Sequence, residues 1–236
     1  MRVRQGRRLL SFFEVLRQVS LLQWAVAVFG LGVLAVGVAG SADPYHEVRR
    51  FRGVVACERS VGDCFAREQG SIVDRDSYTT THTDSDGNTS ITTHYEVTWR
   101  RADGSRETRE VSKGFYDKAR PGRPVTLSLW RGEVVKAEVE GSTEWFLPSP
   151  GKRLILWLAV AYTGLGIVLW GLVAWENSSS SFFEFICYWA VSGFFLIYSV
   201  TEFLAYGWDI GFGHGVLCGV LMLIGLVVGI LAFAVW

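Results

Sequence analysis

The chain has 236 residues, half of them hydrophobic, with 23 basic and 23 acidic side chains and so no formal net charge. Its positive mean hydropathy is that of a membrane protein. The zero net charge argues against nucleic acid as a partner, because phosphate binding requires a concentrated basic surface.

In chain order, residues 1–20 form a basic amino-terminal segment in which Arg2, Arg4, Arg7, Arg8 and Arg17 are opposed only by Glu14. An apolar run at 21–40 follows, with about the 20 residues a helix needs to cross the hydrocarbon layer. The arginines ahead of it predict a cytoplasmic amino terminus. Gly40-Ser-Ala42 loosely resembles a cleavage site, which leaves a removable signal peptide as the rival reading of residues 1–42. Further spans are predicted at 154–175, 182–205 and 210–236, with Trp24, Trp175, Trp208 and Trp236 near their ends as an aromatic belt requires.

The fold class is therefore an α+β membrane protein. Four transmembrane helices carry a small antiparallel β domain, a meander or barrel-like, inserted between helices 1 and 2. The expected location is the plasma membrane, multi-pass, with the amino terminus cytoplasmic and residues 41–153 extracytoplasmic. Lys152 and Arg153 oppose that orientation mildly, but long domains cross largely regardless of charge.

Within 41–153, Cys57 and Cys64 enclose Glu-Arg-Ser-Val-Gly-Asp and are predicted to form a disulfide in an oxidising compartment. Two cysteines with no second pair do not make a zinc site. Period-two alternation in Ile91-Thr-Thr-His-Tyr-Glu-Val-Thr-Trp99 puts Ile91, Tyr95, Val97 and Trp99 on one face of a strand. Ala102-Asp-Gly104 then closes a three-residue loop that sets Val111 opposite Tyr95. Arg120-Pro-Gly-Arg123 reads as a type II turn. A last hairpin pairs Val125, Leu127 and Leu129 with Val139, Ala137 and Val135 across Arg131-Gly-Glu133.

The stretch Thr81–His94, THTDSDGNTSITTH, offers His82, Asp84, Asp86 and His94 as candidate metal ligands. A tight turn at Asp86-Gly87 would pair Tyr78 with Tyr95 and His82 with Ile91, placing the histidines on opposite faces. A slip in register would pair His82 with His94 and bring Asp84 to the same side. Asp84, Asp86 and Asn88 also match the start of a calcium loop, but Thr89 stands where that loop needs glycine and Tyr95 where it needs glutamate. A bland hairpin is the expectation, with no metal and no cofactor. The sequons at Asn88 and Asn177 matter only in a eukaryotic secretory host.

Gly70-Ser-Ile-Val73, Tyr95-Glu-Val-Thr-Trp99, Asp103-Gly104 and Gly122-Arg-Pro-Val-Thr-Leu-Ser-Leu-Trp-Arg-Gly-Glu-Val-Val135 resemble segments of bacterial membrane proteins of unknown function that carry a compact strand-rich domain beside transmembrane helices. The resemblance covers roughly residues 70–139. It implies a small β-barrel-like fold and supplies no catalytic residues.

In the spans, Ser181-Phe-Phe-Glu184 reads as a capping box, which accounts for Glu184. Glu202, with Asp209 and His214 nearby, forms a candidate polar cluster. Cys187 and Cys218 read as small buried hydrophobes. Gly211, Gly215 and Gly219, and again Gly225 and Gly229, repeat every fourth residue and predict close helix packing, within the bundle or with a second copy.

No hydrolase, metalloprotease, P-loop or dinucleotide signature is present. The expected function is a non-catalytic integral membrane protein whose outward β domain binds a protein or another envelope component. The alternatives are a small transporter or channel subunit using Glu202, Asp209 and His214 as a polar path, and a metal-binding envelope protein using His82 and His94.

Overall fold

The computed structural model describes residues 21–84, 86–173, 179–209 and 211–234. The arginine-rich segment, Trp175, Asn177 and Trp236 lie outside the described residues. The chain divides into two compact units: Arg49–Ser149, and the residues up to Val48 together with those from Pro150 onward.

The first helix, α1, spans Leu21–Val61, well past the expected end at Gly40, and Pro44 lies inside it. The reason is an apolar stripe that a period-two reading overlooks. Val48, Phe51 and Val55 fall at i, i+3 and i+7 and are all buried, so burial on one helical face outweighs the cost of the proline. Within the strand unit, the Phe51 ring lies 6.2 Å from Phe65 and 5.3 Å from Trp130. Gly62, with φ at 83°, supplies the left-handed residue that follows the helix end.

Six strands follow: β1 (Ala66–Thr83), β2 (Thr89–Arg100), β3 (Arg106–Glu110), β4 (Pro124–Trp130), β5 (Glu133–Val139) and β6 (Ser142–Trp145). A short helix, α2 (Lys113–Lys118), joins β3 to β4, with the Ser112 hydroxyl accepting from Phe115 N at its start. The sheet order is β3-β2-β1-β4-β5-β6. This corrects the expected meander or barrel: β1 is central, the chain crosses from one edge back to β4 through α2, and among the described residues no pairing joins β3 to β6. Phe115 drives that crossing, because it is fully buried in a core with Ile72, Val97, Trp99, Leu127 and Ala137.

Two turns follow the sequence closely. Val111 N donates to Tyr95 O, as the three-residue loop ending at Gly104 requires, and Arg123 N donates to Arg120 O with Gly122 at φ 84°. The β4–β5 hairpin differs. Leu127 does face Ala137, but a bulge after Ser128 sets Leu129 opposite Val134, and the loop is the two-residue turn Arg131-Gly132. Both turn residues have positive φ, the form whose twist suits a tight hairpin. Val134 and Val135 are consequently both buried, which strict alternation forbids.

The helical unit adds α3 (Ser149–Val173), α4 (Ser179–Tyr206) and α5 (Phe212–Ala234). Together with α1 these make four helices, among the described residues, that are long and apolar enough to cross a membrane. Glycines set their spacing. A Cβ on Gly37 would lie 2.4 Å from Ala161 N, and one on Gly164 would lie 2.4 Å from Leu34 N, so α1 and α3 meet backbone to backbone. On α5 the packing glycines are Gly225 and Gly229, which face Leu196 and Ser192. Gly215 faces the Trp208 ring, while Gly211 and Gly219 have open space, and Gly211 precedes the helix. The start of α4 at Ser179 also places Ser181 inside the helix, so it is not the expected cap, and Glu184 is exposed.

Candidate functional site

The disulfide pairing is as expected: Cys57 and Cys64 are bonded, with Cα atoms 5.9 Å apart. They staple the last turn of α1 to the approach to β1. Cys64 N donates to Glu58 Oε2 at 2.9 Å, and Arg67 pairs with the same carboxylate at 2.7 Å and donates to Gly62 O. Burial alone would raise the Glu58 pKa, but the Cys64 N–H and the Arg67 guanidinium together hold it below the usual carboxylate range. Closing a loop of sequence separation 7 restricts the unfolded chain by about 2 kcal/mol. Reduction of the full-length protein should lower its unfolding free energy by that amount in a denaturant titration. Identical midpoints with and without reductant would refute the staple.

Beyond the stapled end, β1 and β2 run out of the sheet as a two-stranded arm. A bulge between Ile72 and Asp74 inserts Val73 and flips the faces of β1. Ile72 faces Trp99 in the core, but past the bulge Arg75 faces Val97 and Ser77 faces Tyr95. Arg75 lies over the Tyr116 ring at 4.9 Å and donates to Tyr116 O, closing the core with a cation. Among the described residues from Thr79 to Thr93, both faces of the arm are exposed.

This register corrects both pairings considered from the sequence. Tyr78 faces His94, Thr81 faces Ile91 and His82 faces Ser90. The bulge is the physical cause, since it lets Tyr95 turn to the core, where it meets Tyr116 at 4.9 Å, while Tyr78 turns outward. His82 and His94 now share a face but sit four residues apart along the ribbon, about 13 Å, too far to hold one ion. His94 is fully engaged: it stacks on Tyr78 at 4.8 Å, and its nitrogens lie 2.7 Å from Glu110 Oε1 and 3.1 Å from Thr80 Oγ1.

Asp84 serves the turn. Its Oδ1 accepts from Asn88 N at 2.7 Å and Asp86 N at 3.0 Å, and its Oδ2 accepts from Asn88 Nδ2. The Asn88 N–H bond above all holds its pKa below the ordinary value. Gly87, at φ 83°, closes the loop. Among the described residues no three His, Cys, Asp or Glu side chains gather into a metal-holding group.

The other face of the arm carries Thr79, Thr81 and Thr83 opposite Thr93, Ile91 and Thr89. This uncharged β-branched surface did not figure among the sequence candidates. Its signal was present, as alternate threonines with no apolar partner for a core to claim, but it reads as solvent-facing strand until the register is known.

In the helical unit the structure brings two members of the polar cluster together. Glu202, 8% exposed, lies 3.8 Å from His214 Nε2, and Cys218 Sγ lies 3.7 Å from the same nitrogen. Asp209 sits in the turn between α4 and α5, its N–H donating to Tyr206 O. Cys218 is buried as expected, whereas Cys187 is exposed. A separate apolar groove of about 600 Å³ runs between α3 and α4, lined by Tyr162, Trp170, Phe185, Trp189, Phe194 and Tyr198 among others.

No family model matches the chain, and no curated protein matches it. Among solved structures, a structural-genomics target from Proteus penneri ATCC 35198 is similar at 19% identity, covering 32% of this chain and 94% of its own, with a TM-score of 0.26.

Proposed function

We propose that this protein is a non-catalytic integral membrane protein that presents its strand unit outside the cytoplasm to bind a protein or another envelope component. The arm carries the reading. A two-stranded ribbon open on both faces has little stability of its own in water, and this one also holds Tyr78 and Ile91 in solvent, at 44% and 69% exposure. Placement in a bilayer is supported by the helices, whose outward faces carry exposed Phe29, Leu31, Phe194, Leu223 and Ile230. The Cys57–Cys64 bond supports an oxidising side.

A photoreactive residue at Ile91, in intact cells of the native host, should give a discrete cross-linked adduct. A thiol introduced at Asp86 should react with a membrane-impermeant reagent. Labelling of Asp86 only after lysis would overturn the orientation, and an adduct pattern unchanged when residues 78–94 are replaced by a short turn would overturn the binding role. The Glu202–His214 contact favours a second reading, a polar path for a small cation or proton. Reconstituted vesicles would then show a gradient-driven flux that Glu202→Gln abolishes.

A further inference from the structure

β1 is paired with β2 as far as Thr83, but on its other side β4 reaches only from Ala66 to Ser71. The direction of its remaining backbone groups follows from the turn. Asp84 N donates to Asn88 O, so even-numbered residues of the arm bond across to β2 and odd-numbered ones point outward. Nearest the core, two of these outward donors are already used. Asp74 Oδ1 accepts from Arg75 N and Asp76 Oδ1 from Ser77 N, each at 2.8 Å. Thr79, Thr81 and Thr83 remain, facing outward with no described strand beside them.

Charge selects what fits. This edge is bracketed by exposed Asp74 and Asp76 at its base and exposed Asp84 and Asp86 at its tip, while the Arg75 guanidinium is turned onto Tyr116. The threonines between carry no charge. We infer that the free edge of β1 receives an extended segment of a partner protein as an added strand, pairing through Thr79, Thr81 and Thr83, its middle uncharged and β-branched and its two ends rich in lysine or arginine. This rests on the binding role proposed above and names the partner's chemistry. Main-chain bonds supply affinity in such a union, and the flanking charges supply register. A second copy of the chain fits less well, because antiparallel pairing about Thr81 sets Asp76 of one copy opposite Asp86 of the other, and like charges directly opposite repel.

The test uses the full-length protein in nanodiscs and a fluorescent peptide, Lys-Lys-Thr-Val-Thr-Val-Thr-Lys-Lys, read by anisotropy. The peptide should bind, and its affinity should fall as salt rises. A glutamate-flanked version should bind at least ~10-fold more weakly, since its charges face the arm's carboxylates. Thr81→Pro removes an outward N–H that takes no part in the β1–β2 ladder and should weaken binding at least ~10-fold, whereas Thr81→Val should bind like the parent. If Thr81→Pro disturbs the arm by hydrogen exchange, N-methylation of alternate peptide amides makes the same cut from the other side, and one of the two methylation phases should abolish binding. Equal binding of both flanked peptides, indifference to both methylation phases, or spontaneous Thr81→Cys homodimers in place of peptide binding would overturn the inference. An Ile91 cross-link that persists unchanged in Thr81→Pro would leave the binding role standing and overturn only this edge.

Discussion

Gly164→Leu should lower the stability of the helical unit by about 3 kcal/mol or more, while Gly32→Leu, also a helical glycine of that unit, should be neutral or mildly stabilising. The contrast comes from what a side chain would meet. At Gly164 the first atom outward is already 2.4 Å from Leu34 N, and Gly30 O lies 2.9 Å away, so even alanine forces α1 and α3 apart. Both obstacles are backbone, which cannot rotate aside. At Gly32 nothing lies within 4 Å, and leucine gains helix propensity without a clash. In the bilayer proposed above, where no water exclusion drives helices together, close packing carries much of their association, so separating one seam costs contacts along several turns. Thermal melts in nanodiscs followed by tryptophan fluorescence would compare the two variants directly. Equal melting temperatures would show that the α1–α3 contact is not what holds the unit.

The same seam shows what a sequence can and cannot disclose. Apolar length marked all four helices, because a 20-residue hydrophobic run has few soluble uses. Spacing of glycines did not reveal which of them pack: Gly211, Gly215 and Gly219 have the favoured interval, but the face that touches α4 is the one bearing Gly225 and Gly229. Interval describes a stripe, and which stripe is covered depends on where the neighbouring helix lies. The strand unit repeats the lesson. Turn chemistry was legible at Gly104 and Gly122, since only a few residue types adopt φ near 84°, and the alternation of Val97 and Trp99 gave the core face correctly. Bulges were not legible. Val73 carries no local mark of being the extra residue, yet it decides that Tyr78 meets His94 and that the arm's threonines share a face. The end of α1 was missed for a related reason: apolar length alone ends the helix at Gly40, and the residues that carry it on, Val48, Phe51 and Val55, are marked only by their i, i+3, i+7 spacing in an otherwise polar stretch. For the proposed binding surface, Asp84 and the histidines drew attention by residue type, whereas the open edge is a property of pairing alone.

Trp99→Ala should cost about 3–5 kcal/mol, enough to remove a large part of the stability of a typical small domain. Trp99 is fully buried, faces Ile72 across the β1–β2 ladder and lies 5.8 Å from the Phe146 ring, so it joins the central strands to the segment after β6. Its removal leaves a cavity bounded by strands that cannot collapse inward together. Trp99→Phe should behave quite differently. The Trp99 Nε1 donor is buried with no hydrogen-bond partner, a state that costs roughly 1–3 kcal/mol. Phenylalanine deletes that donor while keeping most of the ring, so relief of the unpaired N–H offsets the smaller cavity and the net change should stay within about 1 kcal/mol. Pulse proteolysis of the full-length protein, scored at residues 49–149, measures both variants on one scale. If Trp99→Phe were as damaging as Trp99→Ala, the indole N–H would be making a bond that matters, and the core would be held by a polar contact rather than by ring volume.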